Sequence, residues 1–159
     1  MGLISLEGIN QLHDLQRPLF GLDLGDKTIG IAISDPNWTL ATPLTTLHRL
    51  KFKKDARALI DLMEERGIIA LIIGHPLNMD GSEGPRVQMT RQFITNFLFM
   101  HDMPIALWDE RLSTVAVDRS MSEMGLSNKK KDKVVDKLAA SFILQGALDF
   151  LSMKRNPVD

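Results

Sequence analysis

The segment FGLDLGDKTIGIAISD, residues 20–35, constrains the fold of this chain more than any other segment. Side chains along a strand point alternately to its two faces, so the alternation of large apolar and small residues predicts the two strands of a hairpin. Each strand has one apolar face and one nearly bare face, on which Asp23 lies between Gly21 and Gly25. A half-buried carboxylate needs a partner, yet Asp beside Gly is also common in turns. The hairpin alone therefore leaves the role of Asp23 open.

Three further segments continue the sheet. An extended segment at about residues 39–47 completes an antiparallel meander. Continuous apolar runs at 68–73 and 104–108 are typical of strands that are buried on both faces. The pattern predicts an α/β fold with a five-stranded mixed sheet, in which three antiparallel strands precede two parallel ones and helices cover both faces.

Helical spacing of apolar residues accounts for much of the remaining chain. It predicts helices at residues 53–66, 85–100 and 131–151, and one that begins at Ser113 or Thr114 and ends at Gly125. We expect a lysine-rich loop before the last of these helices.

The bulk properties indicate one domain. The 159 residues are enough for a core, which we expect at residues 18–152, between a loosely packed N-terminal extension (1–17) and a C-terminal tail (153–159). The absence of cysteine excludes a disulfide framework, thiolate metal sites and cysteine nucleophiles. No apolar run reaches membrane-spanning length and no signal peptide is recognisable, so we expect a cytoplasmic protein without a membrane segment.

The basic residues are clustered, although the net charge is −1 and argues mildly against strong nonspecific binding of nucleic acid. One cluster consists of Lys129, Lys130, Lys131 and Lys133, and the other surrounds an aromatic residue at 49–54. Basic residues around an aromatic ring suit a nucleic-acid strand. A solvated helix start or loop is the commoner origin of either cluster taken alone.

Three carboxylates lie where the predicted fold would place chemistry. Asp23 is on the first strand, Glu110 ends the last strand, and Asp136 lies in the terminal helix. Asp136 shares a helical stripe with Ala140, and small residues allow a helix to approach the bare face of the hairpin. Three oxygen ligands suit Mg²⁺ or Mn²⁺, which promote phosphodiester hydrolysis. The simpler alternatives are a salt bridge of Glu110 with Arg111 and an exposed Asp136.

The glycine-rich loop GHPLNMDGSEGP precedes the helix predicted at residues 85–100. Backbone N–H groups at a helix start bind phosphate, so Gly81, Ser82 and Gly84 are candidate contacts. Spacing alone is a weak signal, because Ser82 is equally typical of an ordinary helix cap. His75 has no second His at metal-ligand spacing.

Together these segments resemble the YqgF/RuvX family, bacterial proteins described as pre-16S rRNA nucleases and as Holliday-junction-resolvase-like proteins. The resemblance covers residues 19–151 and lies in four motifs, in order: GLDLGDKTIGIAISD, GHPLNMDGSEGP, DERLSTVAV and VDKLAASFILQ. Four motifs together are far more specific than one. The resemblance implies an RNase H-like fold, metal-dependent cleavage of nucleic acid, and maturation of the 5′ end of 16S ribosomal RNA.

The resemblance also implies that Asp23, Glu110 and Asp136 are catalytic residues that bind Mg²⁺ or Mn²⁺. We expect the substrate, pre-rRNA or structured DNA, to be bound by the following residues: Lys27, Ser82, Arg86, Arg111, Lys129, Lys130, Lys131 and Lys133. Two positions depart from the family pattern, since Thr28 stands where Arg is usual and His75 where an apolar residue is usual.

Other classes of protein fit parts of the same sequence. The hairpin also resembles that of ATPases of the sugar-kinase, actin and heat-shock-chaperone type, but such proteins enclose the nucleotide between two related domains. A protein that binds ribosomal RNA or a partner without cutting it, or a resolvase of DNA junctions, would retain the same motifs. The sequence does not distinguish a monomer from a homodimer.

Overall fold

The computed structural model describes the backbone of residues 2–112 and 128–156, and the side chains of residues 2–111 and 137–156. One sheet is formed by β1 Leu19–Leu24, β2 Thr28–Ser34, β3 Ala41–His48, β4 Ala70–His75 and β5 Ile105–Asp109. The strand order is β3-β2-β1-β4-β5. The pairs β1/β2 and β2/β3 are antiparallel, whereas β4 is parallel to both β1 and β5. The predicted five-stranded mixed sheet is confirmed.

The described residues also contain α-helices and two short 3₁₀ helices, Asn10–Leu15 and Glu110–Leu112. The α-helices are α1 Leu6–Ile9, α2 Phe52–Arg66, α3 Pro85–Met100 and α4 Asn128–Arg155. Proline at the first position of α3 suits a helix start, because its fixed φ is already helical. None of these helices is long and apolar enough to cross a bilayer. The helix predicted from Ser113 or Thr114 to Gly125 lies outside the described residues.

The last helix begins earlier than the sequence pattern indicates. The predicted lysine-rich loop is wrong at residues 129 and 130, which lie in the first turn of α4. Lysine is a good helix former, and neither Gly nor Pro interrupts residues 128–135. The lysine cluster therefore belongs to the helix.

Two hydrophobic clusters cover the two faces of the sheet. On one face, residues of α2 and α3 such as Leu59 and Phe97 pack with Phe20 and Leu22 of β1. On the other face, the apolar stripe of α4 packs with small residues of the strands such as Ala32. Helices therefore cover both faces, as predicted.

α4 lies directly on the bare face of the hairpin. A Cβ atom on Gly21 would lie 2.6 Å from Cβ of Leu144 and 2.9 Å from the backbone oxygen of Ala140. Only a residue without a Cβ leaves room for a helix at this distance. The predicted close approach of the alanine-lined helix to the small-residue face is therefore confirmed.

The N-terminal segment packs closely on the domain. Leu3 forms an isolated β-bridge with Ile105, and Asn10 Nδ2 donates to the backbone oxygen of Leu151 at 3.1 Å. Ile9 is fully buried in the core cluster on the α4 side of the sheet. The expectation of a loosely packed extension is wrong. The apolar residues of this segment have no regular spacing, so the sequence did not indicate that they pack against the core.

Candidate metal and nucleic-acid site

Asp23 and Glu110 come from strands that end at the same edge of the sheet. Leu22 pairs with Ile73 in parallel register, so Asp23 lies one step further along β1, beside the end of β4. β4 pairs in turn with β5, and Glu110 directly follows β5. Each of the two carboxylic side chains is only 9% exposed. The carboxyl ends of parallel strands are a common location for functional sites, and two of the predicted acids lie there.

Gly74 leaves the space that the Glu110 side chain occupies. A Cβ atom on Gly74 would lie 2.7 Å from Oε1 of Glu110 and 2.7 Å from Cδ1 of Ile143 in α4. The Glu110 carboxylate therefore lies over β4, on the same face of the sheet as Asp23. Sequence reasoning missed Gly74. Ile72, two residues earlier on the same strand, faces α4, so the spacing of two residues could have placed Gly74 on the same face.

Asp136 lies in α4, one turn before Ala140. Residues four apart share a face of a helix, so the backbone places position 136 on the face that approaches Gly21. The side chain of Asp136 lies outside the described side chains. Its role as the third metal ligand stays a prediction.

The donors at this edge suit a hard divalent cation. Mg²⁺ and Mn²⁺ prefer carboxylate oxygens, and two nearly buried carboxylates on one face are favourable when a cation or hydrogen-bond donors offset their charge. Within residues 2–111 and 137–156, no three His, Cys, Asp or Glu side chains form a cluster that could hold a metal ion. A third protein ligand would have to come from elsewhere in the chain, as Asp136 would.

A cleft of about 270 Å³ opens beside Glu110. The cleft is lined by Pro76, Leu77, Asn78, Met79, Arg86, Glu110 and Arg111. The first four of these residues belong to the loop after β4, and Arg86 lies in the first turn of α3. Two of the predicted substrate-binding residues, Arg86 and Arg111, therefore share one cleft with a predicted metal ligand.

The two arginines of the cleft are held differently. Arg111 forms a bidentate pair with Asp109, in which Nη2 lies 2.6 Å from Oδ2. This guanidinium lowers the pKa of Asp109 below its usual range, and Asp109 raises the pKa of Arg111. Arg86 donates from Nη2 to the backbone oxygen of Leu24 at 3.2 Å and has no ion pair among the described side chains. No described carboxylate therefore offsets the charge of Arg86 through an ion pair, and more of its N–H donors are available to a ligand.

Asp109 belongs to this site through its ion pair with Arg111, and sequence reasoning missed it. It pairs with His75 across β4 and β5, and alternation along β5 places it on the opposite face from Glu110. An acid two residues before Arg111 was the available signal. Nε2 of His75 is buried and has no hydrogen-bond partner among the described residues.

Ser82 and Lys27 lie at the surface near this edge. Ser82 Oγ donates to Asp80 at 2.6 Å and accepts from Asn78 Nδ2 at 3.0 Å, so the hydroxyl bonds within its own loop. The Ser82 backbone N–H also donates to Asp80, at 2.9 Å. The hydroxyl and this N–H together lower the pKa of Asp80. Gly84, rather than Ser82, is the N-cap of α3. Phosphate binding by Ser82 and by Lys27 stays a prediction.

The two basic clusters are not equivalent. The side chains of Lys129, Lys130, Lys131 and Lys133 lie outside the described ones, so their contact with substrate also stays a prediction. In the second cluster, Arg49 donates from Nη1 to the backbone oxygen of Gly25 at 2.7 Å, and its Nε lies 4.0 Å from the buried Asp55. Arg49 therefore holds the turn that follows Asp23, whereas its neighbours Lys51, Lys53 and Lys54 are exposed.

Comparison with solved structures defines the class of fold. The structure of RuvC from Thermus thermophilus aligns with a TM-score of 0.50 and 10% identity, over 86% of this chain and 97% of that chain. The same protein in complex with a Holliday junction substrate aligns with a TM-score of 0.51 and 9% identity, over 85% and 96% of the two chains. This likeness concerns the fold, which is the RNase H-like fold of RuvC-type resolvases.

Sequence comparison then defines the family. The family model described as "RuvX: Holliday junction resolvase" matches residues 17–150. A protein of Chelativorans sp. (strain BNC1), named "Putative pre-16S rRNA nuclease", is 50% identical over 155 residues, which are 98% of this chain and 97% of that protein. A protein of the same name from Methylocella silvestris is 56% identical over 133 residues, 84% and 83% of the two chains. The chain belongs to the RuvX family, and the predicted resemblance is confirmed.

Proposed function

We propose that this protein is a metal-dependent nuclease that hydrolyses phosphodiester bonds in the cytoplasm during maturation of the 5′ end of 16S ribosomal RNA. The observation that carries the proposal is the position of two nearly buried carboxylates, Asp23 and Glu110, at one edge of an RNase H-like sheet and beside an arginine-lined cleft. Membership of the RuvX family and the names of the relatives support a nuclease and favour precursor rRNA as substrate.

Asp23, Glu110 and Asp136 would hold Mg²⁺ or Mn²⁺ in this proposal. When bound, such an ion supplies Lewis-acid stabilisation of the attacking and leaving oxygens of a phosphodiester. The chain's own residues bind and orient the substrate: Arg86 is placed to donate to a phosphate oxygen. Lys27 and the lysines at residues 129–133 would attract the rest of the strand through its charge.

A four-way DNA junction is the second candidate substrate, because the family description names a Holliday junction resolvase. A protein that binds ribosomal RNA without cutting it is the remaining alternative. In that case the carboxylates would stay in place and the RNA would be bound without metal-dependent turnover. Cleavage assays separate the three.

The test is cleavage of a precursor 16S rRNA fragment, an unrelated single-stranded RNA and a four-way DNA junction, each with Mg²⁺, Mn²⁺ or EDTA. The proteins are the wild type, Asp23→Asn and Asp61→Asn, a control that removes an exposed carboxylate from α2. We expect metal-dependent cleavage of the precursor by the wild type and the control, and a loss of at least about 100-fold in Asp23→Asn. Cleavage of the precursor by Asp23→Asn at the wild-type rate would contradict the proposal. So would binding of the precursor by the wild type without metal-dependent cleavage. Cleavage of the junction alone would favour the resolvase.

A further inference from the structure

The cleft beside Glu110 has the chemistry of a site for a single nucleotide. Pro76, Leu77 and Met79 give it apolar walls, Asn78 adds an amide, and Arg86 adds a cation. Ligand pockets combine apolar walls with a few polar groups in the same way. Met79 is 76% exposed, and its polarizable thioether packs well against a flat ring. An aromatic base is therefore a suitable occupant of the apolar part.

Arg86 is the cation of this cleft that suits a phosphate. A guanidinium has five N–H donors, and one donor of Arg86 bonds to the backbone oxygen of Leu24. Arg111 is instead paired with Asp109, and its Nη1 lies 3.5 Å from the backbone oxygen of Met79. Arg111 therefore ties the loop to the end of β5, whereas Arg86 is anchored and still able to bind an anion.

The size of the cleft limits what can occupy it. Its volume of about 270 Å³ is close to the lower end, about 300 Å³, of small-molecule pockets. A base in a duplex is stacked and paired, whereas an unpaired base can turn outward and contact a protein surface. The cleft thus suits one unpaired nucleotide.

The position of the cleft connects it to the candidate metal site. Glu110 belongs to its wall, and Arg86 bonds to the residue that directly follows Asp23. A nucleotide bound here would therefore lie next to the phosphodiester that the carboxylates face.

We propose that this cleft binds one unpaired nucleotide adjacent to the scissile phosphodiester, with Arg86 on a backbone phosphate and residues 77–79 on the base. The inference rests on the proposed nuclease function and narrows its substrate to RNA that is single-stranded at the cut.

The phosphate contact is tested by fluorescence anisotropy with a labelled single-stranded RNA in EDTA at a series of KCl concentrations. The variants are Arg86→Gln, Arg86→Lys and the control Arg57→Gln, which removes an exposed charge from α2. Each phosphate contact adds about 0.7 to the slope of log affinity against log salt for a single strand. We expect Arg86→Gln to lower the slope by about that amount, and Arg86→Lys and Arg57→Gln to keep it. An unchanged slope in Arg86→Gln, or an equal fall in Arg57→Gln, overturns the proposal.

The base contact is tested with Met79→Ala, a variant of an exposed side chain that leaves every charge in place. We expect weaker binding of the single strand with an unchanged salt slope, and no change for a fully paired duplex of the same sequence. Equal weakening for duplex and single strand, or none for either, overturns the proposal. This variant also decides the question if Arg86→Gln fails to fold.

The same samples separate this inference from the proposed function. Absence of metal-dependent cleavage by the wild type overturns the nuclease, whatever the salt slopes are. Cleavage by the wild type, together with unchanged RNA binding in both Arg86→Gln and Met79→Ala, overturns the nucleotide cleft alone.

Discussion

Gly21 and Gly74 both lie on the side of the sheet that α4 covers, but they contact different kinds of neighbour. A Cβ atom on Gly21 would meet Cβ of Leu144 and the backbone oxygen of Ala140, which move only with the backbone of α4, whereas one on Gly74 would meet the tips of Glu110 and Ile143. A helix backbone cannot move aside cheaply, but the ends of flexible side chains can. Gly21→Ala should therefore lower the free energy of unfolding by about 1–3 kcal/mol. Gly74→Ala should lower it by about 1 kcal/mol or less but displace the Glu110 carboxylate.

Urea unfolding and single-turnover cleavage on the same two variants check this difference. We expect Gly74→Ala to cleave at least about 10-fold more slowly than the wild type, because Glu110, the proposed metal ligand, is displaced. Gly21→Ala should keep most of its activity while it remains folded. A Gly74→Ala variant with wild-type cleavage would show that the position of Glu110 is not important for the reaction.

Single residues were predictable from sequence where their own neighbours in the chain define the environment. Asp23 could be identified because glycines flank it on one strand. The alternation of Gly74 with Ile72 indicates which face Gly74 is on, but not that the Glu110 side chain lies there. Asp109 pairs locally with Arg111, and the spacing of two residues was a weak signal of that pair. Arg49 belongs to a basic cluster whose composition suits a nucleic-acid strand, whereas its side chain donates to the backbone oxygen of Gly25. A sequence pattern shows a charge but not the direction in which it points.

Among the elements, the connection between β2 and β3 depends on one carboxylate. Oδ1 of Asp35 accepts from the backbone N–H groups of Thr39 at 2.7 Å and Leu40 at 2.8 Å. Burial acts to raise the pKa of Asp35, but the backbone donors outweigh it and the pKa lies below its ordinary value. A carboxyl with a lowered pKa stabilises the folded state above its unfolded pKa, about 3.9, and this contribution is lost as the pH falls through the folded pKa.

Asp35→Asn should therefore be less stable than the wild type at neutral pH, by about 1 kcal/mol, because the amide oxygen is a weaker acceptor than a carboxylate. The difference should shrink as the pH falls below about 4, where the wild-type carboxyl also becomes neutral. Urea unfolding at pH 7 and pH 3 measures it. A difference in the free energy of unfolding that is the same at both values would contradict this role of Asp35.

The sequence predicted the elements well where their ends carry a local signal. The observed helix α3 has the predicted bounds, 85 and 100, and Pro85 is the local signal of its start. β4 extends to His75, beyond the apolar run at 68–73, because pairing with β5 continues through Gly74 and His75. The start of α4 was predicted too late because lysines are compatible with both a loop and a helix.

At the scale of the whole molecule, strand order is the property that assembles the candidate site. Asp23 and Glu110 are far apart in sequence and lie at one edge because β4 is inserted between β1 and β5. The sequence pattern predicted three antiparallel and two parallel strands but no strand order. The strand order and the burial of Ile9 became visible only in the folded molecule. The third acid, Asp136, remains a prediction from its helical stripe.

In the proposed site, Asp23 and Glu110 hold a divalent cation for phosphodiester hydrolysis. The most direct measurement is a titration of the protein with Mn²⁺, in which electron paramagnetic resonance counts the free ion. The samples are the wild type, Asp23→Asn, Glu110→Gln and two controls on exposed acids of α2, Asp61→Asn and Glu64→Gln. We predict that Asp23→Asn and Glu110→Gln each weaken Mn²⁺ binding by at least about 10-fold, while the controls bind as the wild type does. Wild-type affinity in both site variants would contradict the claim.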